Sequence, residues 1–375
     1  MSQTPRKAIV LFLLYQMTIS SPDLSEHALG VKSPFTHYVC SLPKQIPLPT
    51  FFSSSERELL IGTSLFEALD QKLSSLERDF ELFREKTATV EWCRKAWWDE
   101  ETGHLTFHDW KVADSMYRSR ALELPRGTGD AMVPVLDMAN HAAEQYYNAR
   151  FEVDAAGRVL LLTREQSQIT EKDEITINYG PGGAAESIFS YGFLEDGVQS
   201  AREMFLTLQA PNDDPLRIAK MHLAKEAPGV RIFLNADGQP SWESNFVWWA
   251  CVNEEDGLDF EVLQTIDGAR DLQAVWNGEP LEPDKLKVTL MNDPRKELFV
   301  LRATVMIQQR VEKQGEELSI SQTAFDESRA HVSDERKFVH DTIRRLRELE
   351  LDLLTASFGA LEFEVRPTPV CENNT

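Results

Sequence analysis

Residues 133 to 141 read Val133-Pro134-Val135-Leu136-Asp137-Met138-Ala139-Asn140-His141, and together with the stretch from 142 to 193 they decide the fold. Apolar residues at 151–153 and 159–163 flank Asp154-Ala155-Ala156-Gly157, a hairpin pattern whose glycine supplies the left-handed conformation of the turn. A charged turn, Glu171-Lys172-Asp173-Glu174, then leads into alternating polar and apolar residues over 174–179, as in a strand, ending at Asn178-Tyr179-Gly180. Gly180-Pro181-Gly182-Gly183 turns the chain into a helical run over 184–191, which stops at Gly192 within Tyr191-Gly192-Phe193, a natural C-terminal cap. No Lys-Ser or Lys-Thr pair comes after these glycines, so they make a strand-to-helix turn and not a phosphate cradle.

On the N-terminal side the text is helical. The apolar run at 8–15 behind Arg6 and Lys7 resembles a signal peptide in outline, but no small-x-small cleavage site follows it cleanly and it is too short to span a bilayer. It reads as the start of a buried helix. Prolines between 43 and 49 mark an ordered connector, and Ser53 with Glu56 has the form of a capping box. Leu65, Phe66, Leu69, Leu73, Leu76, Phe80 and Phe83 recur every three or four positions, which predicts an amphipathic helix. Trp92, Ala96 and Trp97 suggest another, and Thr106 with Asp109 introduces one carrying Trp110, Ala113, Met116 and Tyr117. On the C-terminal side, a strand at 204–208 leads into mostly helical text, with long amphipathic segments at 298–311 and 338–354. The Arg344/Glu348 spacing within the second marks a solvated face.

The chain of 375 residues is long enough for two domains. Its formal charge of -22 is spread evenly, with 19 basic and 29 acidic residues up to position 200 and 20 and 32 beyond it. An acidic surface repels phosphate backbones and attracts basic protein segments, which argues against nucleic acid as a direct partner. Cys40, Cys93, Cys251 and Cys371 lie far apart with no CxxC pair. That spacing gives neither a zinc cluster nor a disulfide framework and fits a reducing compartment, cytoplasmic or nuclear. No metal site, no membrane span and a monomeric state are expected.

The order Ser119-Arg120, then Asp137 to His141, hairpin, strand to Tyr179-Gly180 and helix to Tyr191-Gly192-Phe193 resembles the C-terminal half of a SET domain. The resemblance is to the Rubisco large-subunit methyltransferase subfamily, which includes ribosomal-protein lysine methyltransferases and the actin-histidine methyltransferase. It is specific over 119–197; the flanking helical segments match in style only. It implies an α+β fold with small SET-type sheets, a helical insert at 1–127, the C-terminal SET core at 128–200, a helical substrate-binding domain at 201–358 and a tail at 359–375. It also implies a protein-lysine methyltransferase that uses S-adenosylmethionine, with a ribosomal or other translation-machinery protein as its substrate.

The resemblance carries roles onto particular residues. Asn140 and the backbone of His141 would hold the methionine end and the adenine of S-adenosylmethionine, Arg120 its carboxylate through a bidentate guanidinium, and Phe193 its adenine ring. Asp137, through backbone carbonyls, and Tyr179, through its hydroxyl, would line the substrate channel and hold the polarised methyl group by weak CH···O contacts, with Tyr179 the catalytic residue. A lysine acceptor must lose its proton, which burial and a nearby sulfonium favour. A histidine acceptor needs less deprotonation and stands as an alternative. The family's Gly-x-Gly strand segment is not found among these residues, and Gly127-Thr128-Gly129 stands where a loop belongs. Two further readings are open: a shortened gene product, or a SET-like protein without catalysis that binds a peptide.

Overall fold

A computed structural model of the chain describes residues 5–22, 29–99, 103–124, 129–165, 167–224, 227–264, 270–328 and 332–365. Gly127, Thr128 and Cys371, singled out from sequence, lie outside the described residues. The chain divides into two compact units: Met1–Arg57, Leu65–Gly182 and Glu186–Val198 form the first, and Glu58–Ser64, Gly183–Ala185 and Gln199–Thr375 the second.

The helices leading to the functional stretch are α1 (Pro5–Ser20), α2 (Pro34–Ser41), α3 (Ser54–Glu58), α4 (Ser64–Thr87), α5 (Glu91–Cys93) and α6 (Phe107–Arg120). The core of the first unit gathers Val10, Leu13 and Leu14 from α1, Leu76, Phe80 and Phe83 from α4, and Trp110, Ala113 and Met116 from α6. Phe83 stacks on Trp110 with ring centroids 5.2 Å apart. Each ring so buried contributes about 1.5–3 kcal/mol. Thr106 and Asp109 form the expected capping box at the start of α6. The Ser53/Glu56 box also forms, through a Ser53 N–H bond to Glu56 Oε2 of 2.9 Å, but it opens only the five-residue α3, and the long helix starts afresh at Ser64. The segment around Trp92 and Trp97 is the short α5 followed by a π-type turn, Arg94–Trp98, rather than one regular helix.

α6 also buries a charge. The Asp114 side chain is 2% exposed and faces Arg6 at 2.6 Å, Lys72 at 3.0 Å and Arg118 at 3.9 Å. Burial acts to raise its pKa, yet Lys72, Arg6 and Arg118 outweigh burial and hold the carboxyl below the usual range.

After α6 the strands are short. β1 (Leu122–Leu124) pairs antiparallel with β2 (Gly129–Ala131); β3 (Asn140–His141), β4 (Ala149–Val153), β5 (Val159–Thr163) and β6 (Thr176–Ile177) come next. β4 and β5 form the hairpin, turning through Gly157 at φ +77°. β3 and β6 pair in parallel, Asn140 with Thr176 and His141 with Ile177. Only these two residues of the expected 174–179 strand join a ladder. α7 (Ala184–Tyr191) closes on Gly192, whose N–H reaches the Ile188 carbonyl at 2.9 Å with φ +83°.

The second unit departs from the helical text read from sequence. β7 (Glu203–Thr207) and α8 (Arg217–Leu223) precede β8 (Gly229–Leu234) and β9 (Pro240–Glu243), the three strands forming one antiparallel sheet. After α9 (Phe246–Ala250), β10 (Leu258–Gln264), β11 (Arg270–Trp276) and β12 (Glu279–Leu281) form a second. Leu258, Phe260 and Val262 alternate with Asp259 and Glu261, and Leu272 and Ala274 with Asp271 and Gln273, so the two-residue period of β10 and β11 is present in the sequence although their acidic residues have low strand propensity. α10 (Leu286–Asn292), α11 (Lys296–Ser328) and α12 (Lys337–Val365) complete the unit, α12 running past residue 358. No described helix is long and apolar enough to cross a membrane.

Candidate functional site

The site grows from the two-residue ladder. Because β3 and β6 lie side by side, the ends of both strands converge, and Tyr179, two residues beyond β6, is brought against the Asp137–Asn140 stretch. Its hydroxyl donates to the Ala139 carbonyl at 2.8 Å. Burial pushes the phenol's pKa up, so it stays neutral and its oxygen keeps lone pairs to offer. The chain before Asn140 is held in an unfavourable shape: Val135, β-branched and 75% exposed, has φ +78° just ahead of the tight turn Leu136–Met138. Such a conformation costs on the order of 1–3 kcal/mol and persists only where its surroundings impose it.

A cavity of about 500 Å³ opens beside Tyr179, bordered by Ser119, Arg120, Asp137, Ala139 and Tyr191 among others. Arg120 lies at the end of α6, and its Nη1 donates to the Asp137 carbonyl at 2.7 Å. Its Nε is buried with no hydrogen-bond partner among the described residues. The Asp137 side chain is fully buried; Tyr38 of α2 donates a hydrogen bond to Oδ2, while Oδ1 has no hydrogen-bond partner among the described residues. Burial raises the Asp137 pKa against the opposing pull of the Tyr38 hydroxyl and Arg120.

Of the residues singled out from sequence, Arg120, Asp137 and Tyr179 border this cavity. Asn140, His141 and Phe193 do not. Asn140 is exposed, its side-chain amide donating to Glu174 Oε1 at 2.5 Å. His141 and Phe193 join an aromatic cluster behind Tyr179, with the His141 ring 5.2 Å from Tyr179 and 5.9 Å from Phe193. Tyr191 packs 4.6 Å from Tyr179. Sequence reasoning missed Tyr38, which lies 99 positions from Asp137 with no local signal to mark it. It also missed Glu195, whose Oε2 lies 3.1 Å from His141 Nε2 and whose place just after Tyr191-Gly192-Phe193 offered a cue. Among the described residues, no group of three or more His, Cys, Asp or Glu could hold a metal ion.

No protein-family model matches the chain. It is 26% identical over 275 residues to SET domain-containing protein 8 of Schizosaccharomyces pombe, covering 72% of this chain and 60% of that protein. Two further relatives are the ribosomal lysine N-methyltransferase set10 of the same yeast, 21% identical over 45% of this chain and 29% of its own, and the actin-histidine N-methyltransferase of Danio rerio, 24% identical over 68% and 42%. The chain thus spans about three fifths of the first relative's length and less of the other two. In fold it is similar to the structure of Rubisco LSMT, the large-subunit methyltransferase, bound to AdoMet, with a TM-score of 0.63 and 18% identity over 97% of this chain and 76% of that one. In its motifs, its relatives and its fold, the chain is similar to SET-domain proteins of the Rubisco large-subunit methyltransferase type.

Proposed function

We propose that this chain methylates a lysine side chain of a protein, with S-adenosylmethionine as the methyl donor. The observation that carries the reading is the convergence of the Tyr179 hydroxyl, the Arg120 guanidinium and the Asp137 stretch on one cavity of about 500 Å³. The residues fit the donor in kind: the partnerless Arg120 Nε is a site for a carboxylate, and Tyr179 offers a neutral oxygen beside it. When bound, S-adenosylmethionine supplies an electrophilic sulfonium methyl group. Arg120 would hold its carboxylate, whereas Asn140, the His141 backbone and Phe193, to which the resemblance gives its other polar groups and its adenine, do not border this cavity.

Tyr179 and Tyr191 line the cavity with aromatic surface, which disfavours a charged ammonium and favours the neutral amine that methyl transfer requires. The Tyr179 oxygen and the carbonyl of Asp137, which also accepts from Arg120, would accept weak CH···O contacts from a polarised methyl group. The net charge of -22 suits a basic substrate segment, and the similarity to a ribosomal lysine methyltransferase favours a translation-machinery protein. The similarity to an actin-histidine methyltransferase favours a histidine acceptor as the second reading.

The test is transfer of labelled methyl from S-adenosylmethionine to purified ribosomal proteins and to a general basic-protein extract, with the modified residue located by mass spectrometry. Methyl-lysine supports the proposal and methyl-histidine the second reading; an absence of transfer together with an absence of cofactor binding by calorimetry refutes both.

A further inference from the structure

The β3/β6 ladder ends at Ile177, whose carbonyl accepts from Ala142 N–H at 3.0 Å. Beyond it the backbone leaves the sheet, and the N–H of Tyr179 bonds to a side chain: it donates to His141 Nδ1 at 3.2 Å. A backbone amide only donates, so Nδ1 must be an unprotonated acceptor. Nε2 of the neutral ring then carries the proton and donates it to Glu195 Oε2 at 3.1 Å. The opposite tautomer would set two donors face to face at Tyr179 and leave Nε2 with no hydrogen to give Glu195.

We infer that Glu195 and the His141 ring act together as positioning residues: Glu195 fixes the His141 tautomer, and the ring fixes the backbone of Tyr179 and so the place of its hydroxyl. This inference rests on the proposed catalytic role of Tyr179. Neither residue touches the cavity; both act through Tyr179. The hydroxyl is otherwise tied by its bond to Ala139 and by ring packing on His141 and Tyr191, so removing the amide anchor frees one of the two polar attachments of this residue. The loop after α7 thereby gains a part in the site: Tyr191 borders the cavity, and Glu195, four residues on, braces the residue opposite. The side chain of Glu195 is 28% exposed, so its substitution leaves the core untouched.

The full chain, with S-adenosylmethionine and an unmethylated ribosomal protein that it methylates, provides the test. Glu195→Leu lowers kcat by about 10- to 100-fold, as a displaced reacting group does, with KM for either substrate changed by less than about threefold. Glu195→Gln, which keeps an acceptor oxygen for Nε2–H, recovers most of that rate. His141→Asn, whose Oδ1 stands where Nδ1 stood, is faster than His141→Gln, whose polar atoms reach the Nε2 position instead. A kcat equal to the parent's in Glu195→Leu overturns the inference while the methyltransferase reading stands. A readout free of activity is the nitrogen NMR of the His141 ring, assigned by its loss in His141→Asn. A protonated Nε2 with a bare Nδ1 in the parent, and mixed tautomers in Glu195→Leu, support the inference; a protonated Nδ1 in the parent refutes it even if no methyl transfer is found.

Discussion

Replacing Glu350 by Gln raises stability at neutral pH and leaves it unchanged in mild acid. The Glu350 side chain lies within the second unit, wholly buried, and accepts from Ser64 N–H at 2.9 Å and Ser64 Oγ–H at 2.5 Å. Arg347, one turn before it on α12, spends its guanidinium on the carbonyls of Ile61 at 2.7 Å and Leu318 at 2.8 Å and on Ser321 Oγ at 2.9 Å. Burial therefore prevails over the Ser64 bonds and the Arg347 charge, and lifts the Glu350 pKa from 4.5 to about 7. A folded-state pKa above the unfolded one means that the native chain holds this proton more firmly. The group's contribution is fully present below pH 4.5 and is lost as pH rises through about 7. At about 1.4 kcal/mol per pH unit, the loss approaches roughly 3 kcal/mol. Glutamine keeps an acceptor for the Ser64 amide and a donor for its hydroxyl without this proton linkage. Urea unfolding of parent and variant, followed by tryptophan fluorescence from pH 4.5 to 8, reads the difference, in which titrations common to both chains cancel. A gap that opens with rising pH toward about 3 kcal/mol is expected; parallel curves, or a variant less stable at pH 8, would refute the reasoning.

Arg120→Ala weakens S-adenosylmethionine binding by roughly 10- to 150-fold, the worth of a charge-assisted bond to a carboxylate, measured by calorimetry. Asp114→Asn leaves Arg6, Lys72 and Arg118 without their shared anion and costs on the order of 3–5 kcal/mol in urea unfolding at neutral pH. Because the Asp114 pKa is held low in the folded state, its contribution is present above about pH 4 and fades as pH falls through the folded value, so the variant's deficit shrinks in strong acid. Gly192→Ala places a Cβ at φ +83° and 2.7 Å from the Pro47 carbonyl oxygen, which costs more than about 1 kcal/mol in melting experiments.

Features set by neighbours in sequence were legible before the structure. The α4 periodicity, the Thr106/Asp109 cap, the hairpin at Gly157 and the stop at Gly192 each depend on residues a few positions apart, so local chemistry specifies them. The Arg120, Asp137 and Tyr179 trio was reached through motif order, which stands in for contacts that the residues themselves do not announce. What escaped was non-local. The pairing of Asn140 with Thr176, the Tyr38 bond to Asp137 and the Glu195 bond to His141 join positions 36, 99 and 54 apart, and no periodicity records such meetings. The Ser53 box was legible as well, since α3 starts at Ser54, but a cap satisfies the first amides of a helix without setting its length: α3 ends at Glu58, and Gly62, with φ +86° and the Leu318 backbone close by, precedes the fresh start at Ser64.

The central claim is that the cavity beside Tyr179 carries out methyl transfer. Single-turnover transfer of labelled methyl from saturating S-adenosylmethionine to a ribosomal-protein substrate, compared between the parent chain and Tyr179→Phe, tests it most directly, because the substitution removes one oxygen and keeps the ring that packs on Tyr191. Transfer by the parent is predicted, with a rate at least about 100-fold lower in Tyr179→Phe and cofactor affinity within a few-fold of the parent's. Equal rates in the two chains would contradict the claim.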